Sequence, residues 1–263
     1  MIASEQVFPG VRVSGSGPAV VLLHSSLSSS RQWKQLVATL SQSCLCINID
    51  LLGYGSAPEV SNAGNYSLNC ETDRVMNSVN ELIGDEPFHL IGHSFGGANA
   101  LKISVEHPQR LLSLSLFEPV AFHLLAKGTM VREQVDMFAN NVATSSNEEG
   151  ARIFTNTWNK PGFFDQLPAK MQKLMALDID KVNLDFKGLI SENYTAQDTQ
   201  IIQCPVNLMR GIHSPNISQT LIEILLNEIE GANLTEFDAG HMAPISHSAE
   251  VVQHISEFID SID

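Results

Sequence analysis

The residues best placed to do chemistry in this sequence are those of Gly92-His93-Ser94-Phe95-Gly96. A serine between glycines at this spacing gains weight only where a buried strand runs into a helix. Here Phe88 to Gly92 is a largely apolar run, and Ser94 to about Glu106 reads as helix. A turn that tight forces the serine into a strained backbone conformation and requires small neighbours. Its hydroxyl then stands exposed over the helix N-terminus, where the dipole favours developing negative charge. Such a serine can attack a carbonyl, with the backbone N–H of Phe95 aimed at the oxygen as it becomes an oxyanion. The competing reading makes Ser94 a helix N-cap beside glycines that ease packing. A hydroxyl is a poor nucleophile until an imidazole removes its proton, so a base must come from among the nine histidines. His93 is a poor choice, because its side chain points away from the hydroxyl across the turn.

What must position this turn is a sheet. The first half of the chain alternates short β-rich runs with helical periodicity, the pattern of a largely parallel sheet with helices on both faces. Strands are expected over Val7 to Val13 (a hairpin), Ala19 to His24, Cys44 to Asp50, Phe88 to Gly92 and Leu111 to Phe117. Helices are expected near Arg31 to Leu40, with Ser29 and Gln32 as a capping box, and from about Ser67 to Gly84. The β pattern disappears from Val120 to about Thr199, where amphipathic segments broken by Pro161 and Pro168 take over. It resumes with Pro205 to Arg210 and Asn233 to Phe237, separated by a helix over about Ile217 to Ile229 and followed by a terminal helix. The expected organisation is a core of residues 1–119 and 200–263 with a helical cap subdomain over 120–199.

Four pieces of sequence, the Ser94 turn among them, taken with this order of elements, resemble the α/β-hydrolase superfamily over almost the whole chain. Val21-Leu-Leu-His24-Ser25-Ser26 is similar to the family's His-Gly oxyanion loop, and Asp50-Leu-Leu-Gly53-Tyr-Gly55-Ser56 to its Asp-x-x-Gly-x-Gly-x-Ser loop. Gly92 to Gly96 is similar to its nucleophile elbow, and Ala239-Gly240-His241-Met242 to the segment that supplies its histidine. The resemblance implies a mostly parallel eight-stranded sheet with helices on both faces and a helical cap insertion. It also implies Ser94 as nucleophile, His241 as general base, and the backbone N–H groups of Phe95 and Ser26 as oxyanion donors. Most relatives carry an Asp after the penultimate strand, but the matching stretch here is Arg210-Gly-Ile-His-Ser214-Pro215. Serine at 214 can accept a hydrogen bond from an imidazole but cannot supply the charge that stabilises imidazolium. Glu118, just after the strand adjacent to the elbow strand, stands at the same carboxyl edge of the sheet. Haloalkane dehalogenases resemble this arrangement, so Glu118 is assigned the acid role. Its competing reading is a hinge carboxylate that only pairs with a cation, and Asp238 is the rival acid.

Residues of the 120–199 stretch that could line an apolar pocket are Phe122, Leu125, Met130, Met137, Phe138, Phe154, Trp158, Phe163 and Phe164, with packing between cap and core as the plainer alternative. The expected function is a serine hydrolase that cleaves a small, largely apolar carboxylic ester, or a related lactone or thioester, through an acyl-enzyme. A ligand-binding or signalling protein with little turnover, and a C–C hydrolase or perhydrolase on the same triad, are the alternatives. Serine at position 94 argues against alkyl-enzyme chemistry, which needs a carboxylate nucleophile. No metal or organic cofactor is implied.

Composition sets the bounds. A net charge of −14 spread along the chain argues against nucleic acid or an anionic membrane surface as partner. The apolar residues of the 120–199 stretch make the expected partner a small molecule with an apolar acyl or alkyl portion. No apolar run approaches the ~20 residues of a membrane span. The four cysteines, Cys44, Cys46, Cys70 and Cys204, form no CxxC pair and are read as reduced. Residues 1–6 lack the basic and apolar regions of a secretory signal, so the expected location is cytoplasmic and the expected state a monomer or homodimer.

Overall fold

The computed structural model describes residues 5–262, so most of the N-terminal segment read for a secretory signal lies outside the described residues. The chain folds around an eight-stranded sheet: β1 (Glu5–Phe8), β2 (Val11–Ser14), β3 (Ala19–Leu23), β4 (Leu45–Ile49), β5 (Phe88–His93), β6 (Leu111–Phe117), β7 (Val206–Gly211) and β8 (Asn233–Phe237). The spatial order is β1-β2-β4-β3-β5-β6-β7-β8. Pairings β1–β2 and β2–β4 are antiparallel, and every pairing from β4 through β8 is parallel. Because β3 and β5 are neighbours near the centre, the loops leaving their carboxyl ends, after Leu23 and His93, emerge side by side.

The helices are α1 (Lys34–Leu40), α2 (Leu68–Ile83), α3 (Phe95–Glu106), α4 (Met130–Thr144), α5 (Asn147–Trp158), α6 (Phe163–Gln166), α7 (Ala169–Leu177), α8 (Ile179–Ser191), α9 (Asn216–Glu228), α10 (Ala243–Ser246) and α11 (Ser248–Asp260). Strand β3 is buried at every position, as a strand covered on both faces must be. Its side chains alternate: Val20 and Leu22 meet Trp33, Leu36 and Ile255 on the α1 and α11 side. Val21 and Leu23 join Val75, Leu101 and Ile222 on the side of α2, α3 and α9. Helices α4 to α8 all fall between β6 and β7, where the strand pattern was absent from the sequence.

One local expectation is corrected. Ser29 does cap the single 3₁₀ turn before α1 by accepting from the Arg31 N–H, but Gln32 does not reach back to complete a capping box. Its Oε1 instead accepts from the backbone N–H and the hydroxyl of Ser25, at 3.2 and 2.9 Å. A side chain expected to finish a helix end thus braces the loop after β3.

Candidate active site

Ser94 joins β5 to α3 with φ 55° and ψ −116°, a conformation that L-residues adopt only under constraint. The constraint is close packing. A Cβ on Gly92 would stand 2.5 Å from the Gly96 carbonyl oxygen, and one on Gly96 would stand 2.4 Å from the carbonyl oxygens of Leu23 and His24. The turn is also tied to β6, since the Ser94 N–H donates to the Phe117 carbonyl at 3.0 Å and its own carbonyl accepts from Val120 at 3.2 Å.

His241 sits in the loop after β8, with Nε2 2.9 Å from Ser94 Oγ and Nδ1 2.6 Å from Glu118 Oε2. With a carboxylate on Nδ1, the imidazole proton belongs there, and Nε2 is left to accept from the serine hydroxyl. The ring lies between Trp158 of α5, at 4.2 Å between centroids, and His93, at 5.0 Å. His93 indeed points away from the hydroxyl: its Nε2 donates to the His241 carbonyl at 2.9 Å. Burial, reinforced by the adjacent His241, holds the His93 pKa well below its ordinary value, so this ring is a neutral strut under the histidine loop.

Glu118 is fully buried just past the end of β6. Its Oε1 accepts from the Ser214 hydroxyl at 2.5 Å and the Gly211 N–H at 2.7 Å. Burial pushes this carboxyl up, but the hydrogen bond and charge of His241, helped by Ser214 and Gly211, outweigh it and hold the pKa below the ordinary range. Ser214 therefore does not accept from the imidazole, the role its position suggested; it donates to the carboxylate that does. Asp238, the rival acid, is exposed and pairs with His213 Nε2 at 2.7 Å, away from His241. His254 of α11 is half-buried and bonds Asn207.

The backbone N–H groups of Ser26 and Phe95 have no acceptor among the described residues. The Ser26 loop is pinned from several directions. His24 is fully buried; its Nδ1 donates to the Ser25 carbonyl at 2.7 Å and its Nε2 accepts from the Leu51 N–H at 2.9 Å. Burial lowers the His24 pKa to about 4, which keeps the ring neutral and both bonds in place.

A polar cluster that the sequence reading missed completes the pinning. Asp185, buried on α8, accepts at 2.6 Å from both the Ser26 hydroxyl and the Tyr54 hydroxyl, and forms an ion pair with Lys181 one turn before it. Lys181 also pairs with the buried Glu71 of α2, which accepts from Tyr66 at 2.7 Å and from the Leu52 N–H at 2.9 Å. Burial raises the Asp185 pKa against the pull of Lys181, while Asp185 and Glu71 together outweigh burial and raise that of Lys181. The signal available in the sequence was two opposite charges four apart on the face of α8 that also carries Val182 and Phe186.

A cavity of about 280 Å³ opens in front of Ser94, lined by Ser25–Ser28, Phe154, Trp158, Phe163, Met175, His241, Met242 and Ile245 among others. Behind Ser94 lies a recess of about 10 Å³ that includes Val120, Phe122, Val182 and Phe186. Of the nine side chains considered for a pocket, Phe122, Phe154, Trp158 and Phe163 line one of these spaces. Leu125, Phe138 and Phe164 are packed in the core, and Met130 and Met137 are exposed. Among the described residues no group of three or more His, Cys, Asp or Glu is arranged to hold a metal ion, and no helix is long and apolar enough to cross a membrane.

A family model described as alpha/beta hydrolase fold matches residues 18–247. The chain belongs to the alpha/beta hydrolase family. Within it, the chain is 28% identical over 253 residues to Lipase LipV of Mycobacterium tuberculosis, covering 91% of this chain and 93% of that protein. It is 30% identical over 129 residues to a fluoroacetate dehalogenase of Burkholderia sp, a match that spans 48% of this chain and only 40% of that protein. The enol-lactonase from Burkholderia xenovorans LB400 superposes with a TM-score of 0.78 at 18% identity, over 95% of this chain and 96% of that one. The parallel part of the sheet gathers the loops after β3, β5, β6, β7 and β8 at one edge, and the polar cluster around Ser94 stands on that edge.

Proposed function

We propose that this alpha/beta hydrolase is a serine hydrolase that cleaves a small, largely apolar carboxylic ester through an acyl-enzyme. The observation that carries the reading is the unbroken hydrogen-bond chain from Ser94 through His241 to Glu118. In this reading Ser94 Oγ attacks the ester carbonyl while His241 Nε2 takes its proton, and Glu118 stabilises the imidazolium. The oxyanion is held by the N–H groups of Phe95 and Ser26, neither of which has an acceptor among the described residues. The intermediate collapses as His241 returns the proton to the departing alkoxide. Water, deprotonated by the same imidazole, then attacks the acyl carbon and releases acid and free Ser94.

Helices α4 to α8 are proposed as a cap over the site, since α5 brings Phe154 and Trp158 to the cavity and α7 brings Met175. That lining is the argument for an apolar substrate; a nucleic acid or a membrane is not proposed as partner. Cys44 and Cys46 are buried free thiols, which agrees with a cytoplasmic setting.

The test is Ser94→Ala measured beside a fluorophosphonate probe. Ester turnover and covalent labelling should both disappear in the variant. Labelling at another residue, or full turnover without Ser94, would end this assignment, and an unlabelled wild-type protein would point to a binding function instead.

A further inference from the structure

The space around Ser94 is divided unequally, and the division bears on which half of an ester goes where. The front cavity, about 280 Å³, is bordered by His241, while the rear recess, about 10 Å³, is not. Ser26, Ser94, Phe154 and Trp158 border both, so the reacting carbonyl would sit at their junction. The alkoxide that leaves must take its proton from His241 Nε2, so the alcohol half lies on the His241 side, in the front cavity. The second substituent of the carbonyl carbon is then directed to the rear.

The recess has room for about one water-sized or methyl-sized group. Its walls have little freedom to retreat. Phe122, 1% exposed, stacks on Phe186 at 5.9 Å between centroids, and Phe186 in turn packs edge-on against Phe138 at 5.1 Å. Val182 and Leu189 are also buried, and the Asp185 carboxylate at the recess is already engaged by Ser26, Tyr54 and Lys181. The front shares Phe154 and Trp158 with the recess but is far larger, and Met175 and Ile245 on its wall also border a neighbouring surface groove.

We propose that the rear recess is an acyl-size filter, and that the preferred substrates are acetyl esters of bulky apolar alcohols. This rests on the serine-esterase reading above and goes beyond it by fixing the polarity of the ester. Lengthening the acyl group should cost about tenfold or more in kcat/KM per methylene, the scale on which a closed apolar pocket rejects one carbon. Lengthening the alcohol should cost little.

The decisive pair is octyl acetate and methyl nonanoate, isomers that present the same atoms in opposite orientation. The expected result is a kcat/KM for octyl acetate greater by about tenfold or more. Val182→Ala and Leu189→Ala, tested separately in case one fails to fold, should each raise the butyrate-to-acetate ratio of 2-naphthyl esters by about tenfold. A wild-type preference for methyl nonanoate, or a chain-length profile that is flat or rises with acyl length, overturns the filter while leaving the esterase reading intact. Fluorophosphonate labelling of Ser94 without turnover of any of these esters overturns it as well. No turnover and no labelling overturns both together.

Discussion

At the scale of single residues, the carboxylate that meets the imidazole comes from the end of β6, and a serine hydroxyl supports it. Glu118 reaches His241 from just past β6, and the Ser214 hydroxyl donates to the Glu118 carboxylate. In the proposed mechanism Glu118→Gln keeps shape and removes charge, so kcat should fall by about 10² to 10⁴-fold with KM little changed. Adding Ser214→Asp to that variant should recover part of the loss, because the two side chains stand within hydrogen-bonding distance of each other. Steady-state kinetics of the single and double variants check this. An unchanged rate in Glu118→Gln would take the acid role away from it, and Asp238, committed to His213 at the surface, is poorly placed to inherit it.

At the scale of elements, the three non-glycine residues with positive φ among the described residues are Leu27, Ser94 and Glu118. All lie in loops at the carboxyl ends of neighbouring strands, beside the residues proposed to act, which is where backbone strain is commonly held. What keeps the Leu27 loop in place is in large part α8. Its Asp185 holds the Ser26 hydroxyl, while the Lys181 beside it bridges to Glu71 on α2. Asp185→Ala should therefore do two things. Removing one partner of a buried ion pair should destabilise the fold by about 3 kcal/mol, read by denaturant unfolding. Loosening the proposed oxyanion loop should lower kcat by up to about 10²-fold at similar KM. Ser26→Ala, which removes the hydroxyl and keeps the backbone N–H, should reproduce the kinetic effect with a smaller loss of stability. If Asp185→Ala loses stability alone, the cluster only fastens α8 to the core.

At the scale of the whole molecule, several buried groups predict the same response to acid. His24 is fully buried with a pKa lowered from 6.5 to about 4, and burial also holds the His93 pKa well below its ordinary value. The unfolded chain therefore binds protons at these sites before the folded one does. Their contribution is fully present above pH 6.5 and is lost as pH falls toward the folded values, on the order of 3 kcal/mol for His24 alone. Glu118, also lowered, adds a loss that begins below its ordinary 4.5. Working the other way, acid relieves the self-repulsion of a net charge of −14, but those charges are largely exposed and screened at physiological salt. The melting temperature should fall steadily from pH 7 to pH 4 in 0.15 M salt, and a flat or rising profile between pH 7 and pH 5 would contradict the neutral-histidine account.

The order of elements was legible in the sequence because each carries its own local signal. Buried strands read as continuous apolar runs, α2 repeats its apolar face at helical spacing and stops at Gly84, and the β pattern is silent where α4 to α8 form. Ser94 was legible because Gly92 and Gly96 are steric requirements of the turn, where an added Cβ would collide with neighbouring carbonyl oxygens. Glu118 could be named from its place at a strand end, but only the fold brings it across 123 residues to His241 and gives Ser214 its task. The Asp185–Lys181–Glu71 cluster and the division of the cavity left almost no trace in the sequence. The first joins side chains from α2 and α8 with the loops after β3 and β4, and the second is walled by α5, α8 and the segment after β6. Periodicity reports which face of an element is buried; what that face meets is decided when the elements pack.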